Sequence, residues 1–184
     1  MVLILSASPN DNGLTAACVK AAEQGIEQGG GQFRTVKLTE RGIGSCKACF
    51  DGWGTCRNEH FCQVKDGYQA LHEECREADA LIVVTPVYWG DMAEVAKNFL
   101  DRLRRCEALL RAESKLAGKP FLAVAAAGGS GNGTQTCLAQ LERFAGHISM
   151  KPFDLIPVKR MTRDYQLGAI TGAAAELART LPQG

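Results

Sequence analysis

The sequence has no excess of one sign of charge. Its 21 Lys and Arg face 20 Asp and Glu, for a formal net charge of +1. A near-neutral chain has no global electrostatic reason to bind nucleic acid or an anionic membrane surface. The one close cluster of bases is Arg102–Arg105, too little for a phosphate-tracking patch. Long hydrophobic runs are also missing. The apolar start, Met1–Leu5, is cut at once by Ser6–Asn12 and has no basic segment before it. It reads as a buried strand rather than a signal peptide or a spanning helix. A cytoplasmic protein without nucleic-acid or membrane partners is the expectation. There is no Gly-Lys-Ser/Thr phosphate loop, which excludes that class of nucleotide hydrolase. The three histidines, His60, His72 and His147, share no zinc spacing.

What is present is ordinary globular composition with eight cysteines. In a reducing compartment such cysteines are thiols, metal ligands or redox groups rather than structural bridges. The 184 residues suit one domain, 1–184, carrying a Cys-rich insertion at about 41–65.

Strand and helix patterns alternate along the chain. Val2–Ser6, Gln32–Leu38, Ala80–Thr85, Pro120–Ala127 and Pro152–Val158 read as apolar strands. Helical patterns cover Leu14–Gly29, Asp66–Glu77, the stretch from Met92 to Leu103, Thr134–Ala145 and Leu167–Leu181. In the third of these, Met92, Val95, Ala96, Phe99, Leu100 and Leu103 form one apolar face. Near-continuous apolar strands alternating with helices predict an α/β fold: a doubly wound five-stranded parallel sheet with helices on both faces. An order of 2-1-3-4-5 places the ligand site at the carboxyl ends of the strands, by the switch point between strands one and three.

Three loops belong there. The first, Ser6–Gly13, opens helix one. Ser6, Ser8, Asn10, Asn12 and Thr15 offer hydroxyls and amides, Gly13 frees the backbone, and the helix N-terminus adds partial positive charge. Such a loop either binds a phosphate without lysine or is a capped helix start satisfied by Asn12 or Ser8. The second, Thr85-Pro86-Val87-Tyr88-Trp89-Gly90, carries two adjacent aromatics at the mouth of the sheet. They either bury against a flat heteroaromatic ring or pack on the next helix or a second subunit. The third, Gly128–Gly133, lacks the dinucleotide fingerprint spacing. It either admits a flat ligand close to its backbone or is a plain turn.

These motifs, with Lys97-Asn98-Phe99-Leu100-Asp101-Arg102 following eight residues after Trp89, resemble the NADPH-dependent FMN reductases over nearly the whole chain. The resemblance implies a flavodoxin-like fold, with FMN doing the redox chemistry and no protein acid or base demanded. It implies that Ser6, Ser8, Asn10, Gly13, Leu14 and Thr15 take the FMN phosphate. Pro86, Val87, Tyr88 and Trp89, with Gly128, Gly129, Gly131 and Gly133, would flank the ring. Electrons would pass from NAD(P)H to a quinone, a flavin or a protein, in a homodimer whose partner subunit helps cover the flavin. A flavodoxin-like carrier without its own nicotinamide turnover is the alternative; the near-neutral charge does not favour its docking.

The cysteine segment resembles the iron–sulfur flavoproteins. Cys46, Cys49, Cys56 and Cys62 have the spacing C-x2-C-x6-C-x5-C, open to a cluster, to zinc or to metal-free thiols. Gly52 stands where the third cysteine of the tighter iron–sulfur pattern would be. Cys18, Cys75, Cys106 and Cys137 read as small core residues, and His60 as a solvated loop residue.

Overall fold

The computed structural model describes residues 1–182; the last two positions of the expected 1–184 span lie outside the described residues. Strands β1 (Val2–Ser6), β2 (Phe33–Lys37), β3 (Ala80–Tyr88), β4 (Asp91–Met92), β5 (Pro120–Ala127) and β6 (Lys151–Lys159) alternate with helices. The helices are α1 (Leu14–Gln28), the short α2 (Cys49–Gly52), α3 (Tyr68–Glu77), α4 (Glu94–Glu107), α5 (Thr134–His147) and α6 (Arg163–Thr180). The order is β2-β1-β3-β5-β6, with every neighbouring pair parallel. The five long strands therefore follow the expected 2-1-3-4-5 order.

The two-residue period of the strands divides the core. Leu3, Leu5, Leu81, Val83, Phe121 and Ala123 face α3, α4 and α5. Val2, Ile4, Ile82, Val84, Leu122 and Val124 face α1 and α6. Both faces are covered, which is why these strands read as continuous apolar runs. No helix among the described residues is long and apolar enough to cross a membrane.

Two expectations need correction. The third strand does not stop at Thr85. It runs to Tyr88 and folds back, pairing Val87 with Met92 and Tyr88 with Asp91. Met92 thus leaves the predicted helix. Trp89 (φ 53°) and Gly90 (φ 81°) form the two-residue turn, and positive φ at both central residues is what a tight hairpin requires. The Ala93 N–H donates to Thr85 Oγ1 at 2.9 Å, so helix α4 starts only at Glu94. Secondly, Gly13 has φ −87°, ordinary extended backbone, so the first loop does not use glycine's freedom. The cysteine segment contains the short, irregular α2, interrupted by Phe50 at φ 54°.

Candidate functional site

Ser6, Ser8 and Thr15 are buried polar residues at the carboxyl end of β1. Ser8 Oγ accepts the Asn10 N–H at 3.1 Å. Helix α1 has no side-chain cap and no acidic residue in its first turn, so the capped-helix reading is not what the structure holds. Its first N–H groups remain available, with the positive end of the helix dipole behind them. Asp11, the acid in this loop, pairs with Lys37. A phosphate dianion fits that donor set.

Next to β1, at the end of β3, Val87, Trp89 and Gly90 face Ala127 and Gly128–Gly133 at the end of β5 over a cavity of about 420 Å³. The structure thus brings Val87, Trp89, Gly128, Gly129, Gly131 and Gly133 to one wall system. Pro86 and Tyr88 are on the same hairpin but do not line it, and the phosphate-loop residues lie outside it. The two loops touch. A Cβ on Gly133 (φ +81°) would stand 2.5 Å from Gly90 Cα, so the approach requires glycine there. Thr136 Oγ1 lies 2.8 Å from the Gly90 carbonyl and 2.9 Å from that of Gly133. This hydroxyl can donate to either wall, its one proton going to one carbonyl at a time, and nothing in its sequence context marks it. Trp89 is fully exposed and Tyr88 is 50 % exposed, so Trp89 does not pack on the following helix.

The four cysteines Cys46, Cys49, Cys56 and Cys62 line one cavity with Arg102 and Arg105. No three of the described His, Cys, Asp or Glu residues are arranged to hold a metal ion, so the sulfurs would have to close on any centre they share. Their chemistry, four cysteines around one space, suits a thiolate-bound metal or cluster.

The Arg102–Arg105 run, read as a basic cluster, is not a surface patch. Arg102 is 1 % exposed. Its guanidinium donates to Asp66 through Nη1 at 2.6 Å and Nη2 at 3.0 Å, to the Gly44 carbonyl at 3.1 Å, and to Cys62 Sγ at 3.3 Å. It also stacks 4.4 Å from the centre of the Tyr68 ring. Burial alone raises the Asp66 carboxyl pKa, but hydrogen bonds from Arg102, Tyr68 and Gly44 outweigh it and hold it below the usual range. Arg105 stacks 4.0 Å from the Trp53 ring centre and donates to the Gly52 carbonyl. His60 is half-buried rather than solvated, with Nδ1 3.1 Å from the Cys106 carbonyl. Cys18, Cys75, Cys106 and Cys137 are core residues as expected. Burial pushes the thiols of Cys18, Cys106 and Cys137 up to about 12, and that of Cys75 higher.

Residues 1–155 match the NADPH-dependent FMN reductase family. The chain belongs to that family. This FMN reductase family member is also 31 % identical over 131 residues to an iron–sulfur flavoprotein of Methanosarcina thermophila, covering 71 % of this chain and 64 % of that protein. It is 26 % identical over 173 residues to one from Archaeoglobus fulgidus, covering 94 % and 82 %. Among solved structures, RosB with bound 8-demethyl-8-formylriboflavin-5′-phosphate superposes with a TM-score of 0.71 at 15 % identity over 98 % of this chain and 79 % of that one. An archaeal flavodoxin superposes at 0.62 and 16 % identity, over 97 % and 96 %. At such identities these structures establish the fold, which is flavodoxin-like.

Proposed function

We propose that this FMN reductase family member binds FMN and passes electrons from NAD(P)H through it to a quinone, a flavin or a protein acceptor. The observation that carries the reading is the pairing of an uncapped helix N-terminus at the end of β1 with the cavity between the Trp89–Gly90 and Gly128–Gly133 loops. The first suits a phosphate and the second a flat ring. Ser6, Ser8, Asn10, Gly13, Leu14 and Thr15 would hold the phosphate end. Pro86, Val87, Tyr88 and Trp89, with Gly128, Gly129, Gly131 and Gly133, would position the ring. FMN supplies two-electron chemistry when bound, and the protein supplies orientation and electrostatics. The exposed backbone of both walls offers N–H and C=O groups to the ring edge, and the Gly90–Gly133 contact, with the Thr136 hydroxyl within reach of the Gly90 carbonyl, holds the walls together.

The convergence of Cys46, Cys49, Cys56 and Cys62 on one cavity supports a second redox centre bound by thiolates, an iron–sulfur cluster or zinc being the candidates. The segment 41–65 is then an insertion within a single domain, 1–184. The exposed Tyr88, Trp89 and Leu109 support a homodimer that covers the flavin. Eight unbridged cysteines suit the cytoplasm.

The test is the purified protein itself. Heat-released flavin should chromatograph as FMN, and NADPH should bleach the bound flavin anaerobically. FAD as the dominant species, or a reconstituted protein without flavin, overturns the cofactor; a flavin that no dihydronicotinamide reduces overturns the donor.

A further inference from the structure

Beside the candidate flavin cavity lies a second hollow of about 350 Å³, lined by Gly129, Ser130, Gly131, Lys159, Arg160 and Met161. The two share the Gly129–Gly131 wall. No carboxylate lines the second hollow. Among the described residues, neither Lys159 nor Arg160 enters an ion pair. Two uncompensated cations at the mouth of a redox pocket are a place for an anion.

Lys159 is held in place, and Arg160 follows it directly at the exposed rim. Lys159 pairs with Ala127 at the end of the sheet. Its N–H donates to Thr162 Oγ1 at 2.9 Å, and that hydroxyl lies 3.3 Å from the Lys159 carbonyl. The Lys159 stem lies against Gly131, where a Cβ would come within 3.0 Å of Lys159 Cδ. Gly131 (φ +77°) therefore lets the ammonium stem rest on the loop that walls the flavin cavity. Met161, 88 % exposed, adds an apolar face beside the charges, which suits a purine-bearing ligand better than a bare inorganic ion.

This anion is not the FMN phosphate. That group has its donors at the end of β1, and β6 is the third strand over, about 14 Å away at normal strand spacing. We propose that Lys159 and Arg160 bind the phosphates of the incoming nicotinamide dinucleotide, and so determine how tightly this chain takes its electron donor. The inference rests on the reading that reduced nicotinamide is the donor. A molecule whose nicotinamide stacks on the exposed face of a flavin in the first cavity, with a phosphate-bearing body along the shared glycine wall, reaches both hollows.

The experiment uses the FMN-loaded protein and its Lys159→Ala/Arg160→Ala variant, matched for flavin content. Calorimetric titration with NADP⁺ should show a dissociation constant raised about ten-fold or more in the variant, as expected for lost charge-assisted hydrogen bonds. Its salt dependence should be shallower as well. In anaerobic rapid mixing, the half-saturating NADPH concentration should rise in step while the limiting rate holds. N-benzyl-dihydronicotinamide, a hydride donor without phosphate, should reduce both proteins equally fast. Equal losses for NADH and NADPH place the pyrophosphate on the pair, and a loss confined to NADPH places the 2′-phosphate there; both support the proposal. Unchanged NADP⁺ affinity overturns it. So does an equal slowing of the uncharged donor, because the two residues would then act on the flavin pocket. A wild-type flavin that no dihydronicotinamide reduces is a different result and defeats the donor reading instead.

Discussion

The two ends of helix α4 support two differently built regions. At its start, the Thr85–Ala93 hairpin meets the Gly128–Gly133 loop, and the contact is backbone against backbone at Gly90 and Gly133. Further along, Arg102, Arg105 and Cys106 tie down the segment around Gly44, Gly52 and His60 through a buried guanidinium, a stacked guanidinium and a carbonyl. The first region gets its shape from what is absent, side chains, and leaves polar backbone open to a ligand. The second gets its shape from guanidinium groups drawn out of water and held by a carboxylate, carbonyls and aromatic rings, so that losing either partner of the buried Arg102–Asp66 pair is costly. Changes in the glycine region should therefore weaken ligand binding more than folding, and changes in the arginine region the reverse.

The largest expected effect is Arg102→Ala. It strips Asp66 of its bidentate partner and the Gly44 carbonyl of a donor. Breaking one side of a buried pair costs about 3–5 kcal/mol, read as a fall in the urea midpoint. FMN affinity of the folded variant should stay within about three-fold, since under ~0.7 kcal/mol reaches the flavin. A large loss of flavin at unchanged stability would erase the distinction between the regions.

Next is the acid limb of the same region. Glu107 is fully buried and accepts from His72, Arg76 and Ser114. Burial by itself raises its carboxyl, but hydrogen bonds from His72, Ser114 and Arg76 outweigh it and bring it down from 4.5 to about 2. A carboxyl depressed in the folded state contributes stability above its unfolded pKa and loses it as pH falls through the folded one. The contribution, about 3 kcal/mol, should be complete at pH 6 and disappear between about pH 5 and pH 2. Urea midpoints across that range should fall more steeply for the wild type than for Glu107→Gln. Parallel curves would show that other carboxylates carry the acid sensitivity.

Thr15→Ala probes the binding side. If Thr15 serves a phosphate, a charge-assisted bond of roughly 1.5–3 kcal/mol is lost, so the FMN dissociation constant should rise about ten- to a hundred-fold while the urea midpoint of the apoprotein barely moves. An unchanged constant with FMN still bound moves the phosphate elsewhere. The place of Thr15 beside the end of β1 was legible in the sequence because a polar loop there follows an apolar strand and precedes a helical period. The order of the five long strands was legible for a similar reason, since double burial writes itself as continuous apolar runs. The hairpin was not. Its turn is Trp89-Gly90 rather than an Asn-Gly or Asp-Gly pair, and Asp91 and Met92 continue the helical period that follows. Arg102 was not legible as a buried group either. On one strand of sequence it is indistinguishable from its neighbour Arg104, and only the return of Asp66, 36 positions earlier, decides which arginine turns inward. Lys159 and Arg160 gave no signal because two consecutive bases at a strand end are ordinary surface chemistry until a glycine loop is placed against them.

The smallest effect tests the glycine region at its one side-chain link. The Thr136 hydroxyl has one proton and two carbonyls within reach, those of Gly90 and Gly133, so it can satisfy only one at a time, and the residue is exposed to competing water. Thr136→Val keeps the branched shape and removes the bond. The lost stability should be under ~1 kcal/mol, the low end for a solvated hydrogen bond. The walls would then be held by the Gly90–Gly133 contact alone. Because the cavity's width depends on both, the FMN dissociation constant should rise about two- to five-fold, measured by quenching of flavin fluorescence. An unchanged constant would mean that backbone contact suffices and that the region needs no side chain for its spacing. A rise of about ten-fold or more would mean that the flavin wall is held by a specific side-chain bond. The contrast with the arginine-held cysteine region would then be one of degree.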